Sequence, residues 1–156
     1  AMVIDMYTNA ANQGHSGAQH CLGRYYEAGK GVSRDFEKAL QWYRKAADQG
    51  LPEAQFDLGR MYYHGRGVAQ DHQKAAQWYR KAAGQGGAEA QHTLGVIYYV
   101  GQGIAQDYKK ALQWSRKAAE QGHAIAQLNV GVMYHVGQGV VQDKEKAVQW
   151  FRKGAD

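Results

Sequence analysis

Residues 18–50 read AQHCLGRYYEAGKGVSRDFEKALQWYRKAADQG, and residues 54–86 read AQFDLGRMYYHGRGVAQDHQKAAQWYRKAAGQG, the same text displaced by 36 positions. Trp42, Trp78, Trp114 and Trp150 keep that 36-residue interval to the end of the chain. A fixed period between about 20 and about 50 residues marks a repeat architecture, in which each unit buries its apolar face against its neighbours. The 156 residues therefore form one array rather than an ordinary globule. Its units are 16–51, 52–87, 88–123 and 124–156, preceded by residues 1–15.

Each unit predicts two helices, A and B, joined by a glycine-bearing turn. In the first unit, Ala18, Leu22, Tyr25 and Tyr26 fall on one helical face, as do Ala39, Trp42, Tyr43, Ala46 and Ala47. Helix A is expected over roughly 16–28 and helix B over roughly 35–49, with Gly29-Lys30-Gly31-Val32-Ser33-Arg34 turning between them. Asp35, Asp71, Asp107 and Asp143 stand where a carboxylate stabilises the start of helix B. Gly50, Gly86 and Gly122 follow the helix, where a left-handed residue is needed, and Pro52 falls in the first turn of the next helix A. Gly23 and Ala46 are expected to let helices approach closely, with Trp42 filling the space beside them. Tyr7, Ala10, Ala11, Gln13 and Gly14 align with Tyr43, Ala46, Ala47, Gln49 and Gly50, so residues 1–15 read as a lone helix B of a partial repeat.

The motif Ala18-x3-Leu22-Gly23-x2-Tyr26-x2-Gly29-x-Gly31-Val32-x2-Asp35-x2-Lys38-Ala39-x2-Trp42-x3-Ala46-Ala47-x2-Gly50 resembles the Sel1-like repeat, a relative of the tetratricopeptide repeats with a longer turn. It recurs three more times, with Val130, Ile104 and Gly154 as departures. The resemblance implies an all-α fold, a right-handed α/α superhelical solenoid of stacked helix–turn–helix repeats. It also implies a non-catalytic adaptor or binding protein, commonly bacterial. Members of the family serve in signalling, envelope assembly, host-cell interaction and neutralisation of secreted toxins, which leaves the partner open. The cysteine-rich branch has a disulfide in each repeat, and this chain, with Cys21 alone, does not resemble it.

With the apolar stripe of helix A centred on Ala18, Leu22 and Tyr26, positions 20, 24 and 27 point the other way, because each residue turns about 100°. In a superhelix of this type that face lines the concave surface. A purely structural helix would be polar there. Instead the four units carry His20, Arg24 and Glu27; Phe56, Arg60 and Tyr63, with His64 beside them; His92, Val96 and Tyr99; and Leu128, Val132 and His135. Variable side chains on an invariant frame suit a binding groove, and aromatics with arginine make good anchors. The competing expectation is that some of them pack against neighbouring A helices.

Other features carry less. The net charge of +5 permits an acidic partner without specifying one. The doublets Arg44-Lys45, Arg80-Lys81, Arg116-Lys117 and Arg152-Lys153 read as a solvated face with cations near helix C-termini, so no nucleic acid is expected. Gly23 with Gly29-Lys30-Gly31 has one residue too many for a phosphate loop, and Gly31 stands where a hydroxyl would meet magnesium. No histidine pair has the spacing that places two ligands on one helix face, so neither metal nor cofactor is expected. No nucleophile–base constellation interrupts the repeat, so no enzyme is expected.

No run of about 18 apolar residues occurs, hence no membrane span is expected. Residues 1–17 include Asp5, Asn9 and Asn12 and lack a basic start, so they are not a signal peptide; a cleaved one would leave no trace. Bacterial cytoplasm and periplasm both stay open. Neither end carries a distinct polar capping helix, which suggests a segment of a longer array or end-to-end self-association through the terminal repeats. The reading that follows is a scaffold binding a partner protein or peptide through its helix A surface. An immunity or inhibitor protein that neutralises a secreted bacterial toxin, and an envelope- or glycan-associated scaffold, are the alternatives.

Overall fold

The computed structural model describes residues 2–155, all of whose regular elements are α-helices. A lone B-type helix, α1 (Met2–Asn12), comes first. The A helices are α2 (Ser16–Ala28), α4 (Pro52–His64), α6 (Ala88–Val100) and α8 (Ala124–Val136). The B helices are α3 (Phe36–Asp48), α5 (His72–Gly84), α7 (Tyr108–Glu120) and α9 (Lys144–Ala155). The chain divides into two compact units, the first closing at Ala82 and the second opening at Ala83. In the first, α1 packs on α2, α2 on α3, and α3 on α4; in the second, α6 packs on α7, α7 on α8, and α8 on α9.

Local chemistry sets the helix ends. The Asp35 carboxylate accepts from the Lys38 backbone N–H at 3.0 Å, and Asp71, Asp107 and Asp143 do the same for Lys74, Lys110 and Lys146. These bonds satisfy one of the donors that every helix start leaves unpaired. The Asp35 N–H in turn donates to the Tyr26 carbonyl at 2.9 Å, tying the turn back to the end of helix A, and each later unit repeats the tie. His15 and His123 cap α2 and α8 through Nδ1, a role not foreseen from the sequence.

The core is built from small residues that bring helices close and a few large ones that fill the remaining space. Ala39, Ala46 and Ala47 are buried in the first unit with Leu22, Tyr43, Leu58 and Met61; Ala111, Ala118 and Ala119 are buried in the second with Leu94 and Val130. Each large apolar side chain stabilises the fold by about 1.5–3 kcal/mol.

The structure corrects one expectation. The ring lying on Gly23 is Tyr43, not Trp42: a Cβ at Gly23 would stand 2.6 Å from Tyr43 Cδ1. Tyr79 lies on Gly59 in the same way, and Phe151 on Gly131. The tryptophans sit one residue round the helix, half-buried, with Lys45, Lys81, Lys117 and Lys153 each about one turn on and 4.4–4.5 Å over the ring. That placement keeps the indole at the edge of the core, where the ammonium adds a cation–π contact.

Buried glutamines are the second feature the apolar pattern concealed. Gln19, Gln55, Gln91 and Gln127 each donate a side-chain amide to the carbonyl of a B-helix alanine: Ala11, Ala47, Ala83 and Ala119, at 3.1–3.3 Å. A helix C-terminus leaves such carbonyls without intrahelical partners, and a buried amide supplies one.

Candidate interaction surface on the A helices

In the first unit the outward face of the A helices is closed by its own charges. Arg60 on α4 donates to both carboxylate oxygens of Glu27 on α2 at 3.1 Å and to Asp57 at 3.1–3.2 Å. His20 Nε2 lies 2.6 Å from Asp57, and Arg66 approaches Glu27 at 3.7 Å. The Tyr43 hydroxyl donates to Glu27 at 2.5 Å. Burial, then this bond, pushes the Tyr43 phenol well above its ordinary range. Partial burial pulls the Arg60 guanidinium down, but Asp57 and Glu27 outweigh it and its pKa is raised. Three of the candidate binding residues, His20, Glu27 and Arg60, therefore spend their chemistry on holding α2 to α4. Phe56 packs tilted against Tyr79 at 5.3 Å, and Tyr63 packs edge-on to His64 and His72. Arg24 and His64 are exposed.

The second unit carries the same backbone with different chemistry. The positions of Arg24 and Arg60 hold Val96 and Val132, one period apart at each step, and the positions of Ala28 and His64 hold Val100 and Val136. Together with Leu128, these valines are 39–56% exposed. They form apolar rows along α6 and α8 at helical spacing. Apolar side chains gathered on an exposed face, rather than scattered singly, mark interaction sites in soluble proteins. His135 is exposed beside them.

A cavity of about 290 Å³ opens on this face, lined by Gly95, Val96, Tyr99, Ser115, Asn129, Val132 and Met133. Its origin is a single substitution in the repeat. Tyr43, Tyr79 and Phe151 occupy the position that Ser115 holds in the third repeat. The Ser115 hydroxyl rests against Gly95 in place of a ring, and with no ring at 115 the space beyond it stays open. Tyr99 borders it, packed on Tyr108 at 5.0 Å and donating its hydroxyl to Gln138 at 2.9 Å.

Of the residues expected to bind, the structure thus brings Val96, Tyr99 and Val132 together around one cavity and locks His20, Glu27 and Arg60 into an internal network. The reading from sequence passed over Asp57, Ser115 and Asn129. Ser115 was legible as the one non-aromatic residue in its phase, but its consequence needed the geometry.

His92, another candidate, stacks on His123 at 4.4 Å, and its Nδ1 is buried without a hydrogen-bond partner. Burial, then the neighbouring His123, lowers its pKa below the ordinary 6.5, although Glu89 pulls the other way. The unfolded chain accepts a proton near pH 6.5 that folded His92 resists. Stability is accordingly fully present above that pH and declines as the pH falls below it. Replacement of His92 by leucine, the residue at this phase in α8, is expected to flatten that acid limb. Urea midpoints at about pH 7.5 and about pH 5.5 check it; equal acid losses in parent and variant would refute it.

The basic doublets have internal partners. Besides the lysines over tryptophan, Arg44 donates to the Tyr62 hydroxyl and Arg116 to that of Tyr134. Among the described residues no group of three or more His, Cys, Asp or Glu side chains could hold a metal, and no helix is long and apolar enough to cross a membrane.

The described fold has close relatives among solved structures. A protective antigen present in uropathogenic Escherichia coli strains is 42% identical, with a TM-score of 0.95 over 97% of this chain and 32% of that one. A Sel1 repeat protein from Oxalobacter formigenes is 43% identical, with a TM-score of 0.89 over 92% of this chain and 59% of that one. An immunity protein from Pseudomonas aeruginosa is 26% identical, with a TM-score of 0.58 over 98% of this chain and 55% of that one. The chain thus spans a third to about three-fifths of the length of these proteins. No curated protein matches it. The all-α repeat fold expected from the sequence is borne out. The Sel1 repeat model matches residues 16–51, 52–87, 88–123 and 124–156, and the chain belongs to the Sel1 repeat family.

Proposed function

We propose that the chain is a non-catalytic scaffold that binds a partner protein through the outward face of its A helices, and that α6 and α8 carry the contact. The observation behind this reading is the exposed row Val96, Val100, Leu128, Val132 and Val136, at phases where the first unit holds His20, Arg24, Ala28, Phe56, Arg60 and His64 and pairs His20 and Arg60 with its own carboxylates. Burying such side chains against a partner contributes about 25 cal/mol per Å² of apolar surface, before the costs of association. A partner presenting an uncharged apolar segment fits this face, because no charged side chain lines its cavity.

The test is capture of a partner from the organism that encodes the chain. The parent should retain a stoichiometric partner that the triple variant Val96→Lys, Leu128→Lys, Val132→Lys loses. Gln113→Lys, an exposed change on α7, should retain it. Equal capture by parent and triple variant would exclude the A-helix face. Soluble oligosaccharide that displaces the partner would instead point to glycan recognition.

A second reading has its own support in the likeness to the Pseudomonas immunity protein. On that reading the partner is a toxin, and addition of the chain suppresses the toxin's activity at a one-to-one ratio. A captured partner whose activity is unchanged by the chain would sink it.

A further inference from the structure

We infer that the cavity at Ser115 is a receptor site for the aromatic ring of a phenylalanine or tyrosine side chain presented by the partner, a refinement that rests on the surface reading above. The repeat itself supplies the template. In the first repeat, Tyr43 lies on Gly23 and reaches Glu27, and Asp57 and Arg60 carry the network beyond it. The same phases in the third repeat and its successor are Gly95, Tyr99, Asn129 and Val132, and all four line the cavity. The ring position is therefore given up at Ser115, which covers Gly95, while the positions around it line open space. Space of about 290 Å³ accommodates a phenyl or phenol group with room for its stem.

The lining also selects the chemistry. Where the first repeat and its successor have Glu27, Asp57 and Arg60, this site has Tyr99, Asn129 and Val132, so every side chain is uncharged. A cation or carboxylate entering here would lose hydration without a countercharge. A neutral ring loses little, packs beside Val96 and Val132, and can contact the Met133 thioether, which favours aromatic edges. Ser115 and Asn129 place polar groups in the wall for a phenol hydroxyl. The site opens on the face that carries Val96 and Val132, so a side chain can enter while its backbone stays on the apolar row.

The experiment follows backbone amide chemical shifts during titration with p-cresol, with the capped tripeptide acetyl-Gly-Tyr-Gly-amide, and with its alanine counterpart. The expected result is saturable shifts at Gly95, Val96, Ser115 and Val132 with p-cresol and with the tyrosine peptide, in the millimolar range usual for so few atoms, and none with the alanine peptide. Ser115→Phe, which fills the space with the chain's own ring as Phe151 does at Gly131, should weaken binding at least about tenfold. Val132→Glu, an exposed change at the rim, should weaken it similarly and guards against a fold defect in the first variant.

Absence of shifts with p-cresol, or unchanged binding by both variants, overturns the site. Binding of p-cresol without binding of the tyrosine peptide overturns the side-chain assignment in favour of a free small aromatic. Partner capture that depends on the valine row while p-cresol leaves the amides unmoved overturns this site and leaves the surface reading standing. Ring binding alongside partner capture indifferent to the valine row removes the surface reading and overturns the partner as the source of the ring.

Discussion

Replacement of Tyr43 by alanine is expected to lower stability by about 3–5 kcal/mol, the range for deleting a buried aromatic side chain. Tyr43 is fully buried, its ring fills the space over Gly23, and its hydroxyl donates to Glu27. The alanine variant leaves a void between α2 and α3 and takes one donor from a carboxylate that is 14% exposed. Tyr43→Phe keeps the ring and loses only the hydrogen bond, so its cost should be smaller, about 1.5–3 kcal/mol for a bond to a charged group. At Ser115, where no ring exists, truncation to alanine should change stability by less than about 1 kcal/mol. Repeat arrays transmit damage mainly to neighbours, so the loss should appear as faster amide exchange in α2 and α3 as well as in the urea midpoint. A Tyr43→Ala variant as stable as the parent would show that the ring does not key the helix pair, and would remove the template for the Ser115 site.

Gly67→Ala is expected to be nearly as damaging, through the backbone rather than the core. Gly67 has φ of +71° and stands against the start of α3: an added Cβ would lie 2.7 Å from the Phe36 carbonyl carbon and closer still to its oxygen. The left-handed conformation alone costs an alanine about 1–2 kcal/mol. The contact adds to it, because a main-chain carbonyl in a helix cannot rotate aside as a side chain can. A total above about 3 kcal/mol is expected, in the range diagnostic of a backbone defect. Gly50 separates the two causes, since its φ is +93° but an added Cβ meets nothing within 4 Å. Gly50→Ala should therefore show only the conformational cost. Equal melting temperatures for the two variants would mean that the turn does not press on α3 as described.

Much of the site was legible in residue letters, and its division was not. Phases 20, 24 and 27 do vary, and Val96, Tyr99 and Val132 do meet at one cavity. The same reasoning gave equal standing to His20, Glu27 and Arg60, which the first unit consumes in holding α2 to α4. A histidine or arginine on an outward helical phase looks available until the residues one period away are known. Trp42 was assigned the space that Tyr43 fills because apolar periodicity cannot separate adjacent positions on the edge of a stripe.

The sequence by itself determined the period, the helix pairs, their aspartate and glycine boundaries, and membership of the family. Those depend on local chemistry: an aspartate caps the turn it begins, a glycine adopts the positive φ beside it, and alanine spacing defines a packing stripe. Tertiary structure alone decided which outward side chains remain open. Glu27 and Arg60, or His20 and Asp57, meet only when successive A helices are laid side by side. Likewise, the serine at 115 becomes a cavity only once the glycine it faces and the walls of the next repeat are in place. Contacts between residues a full period apart are set by packing, and packing decides whether a variable side chain is spent inside the fold or offered to a partner.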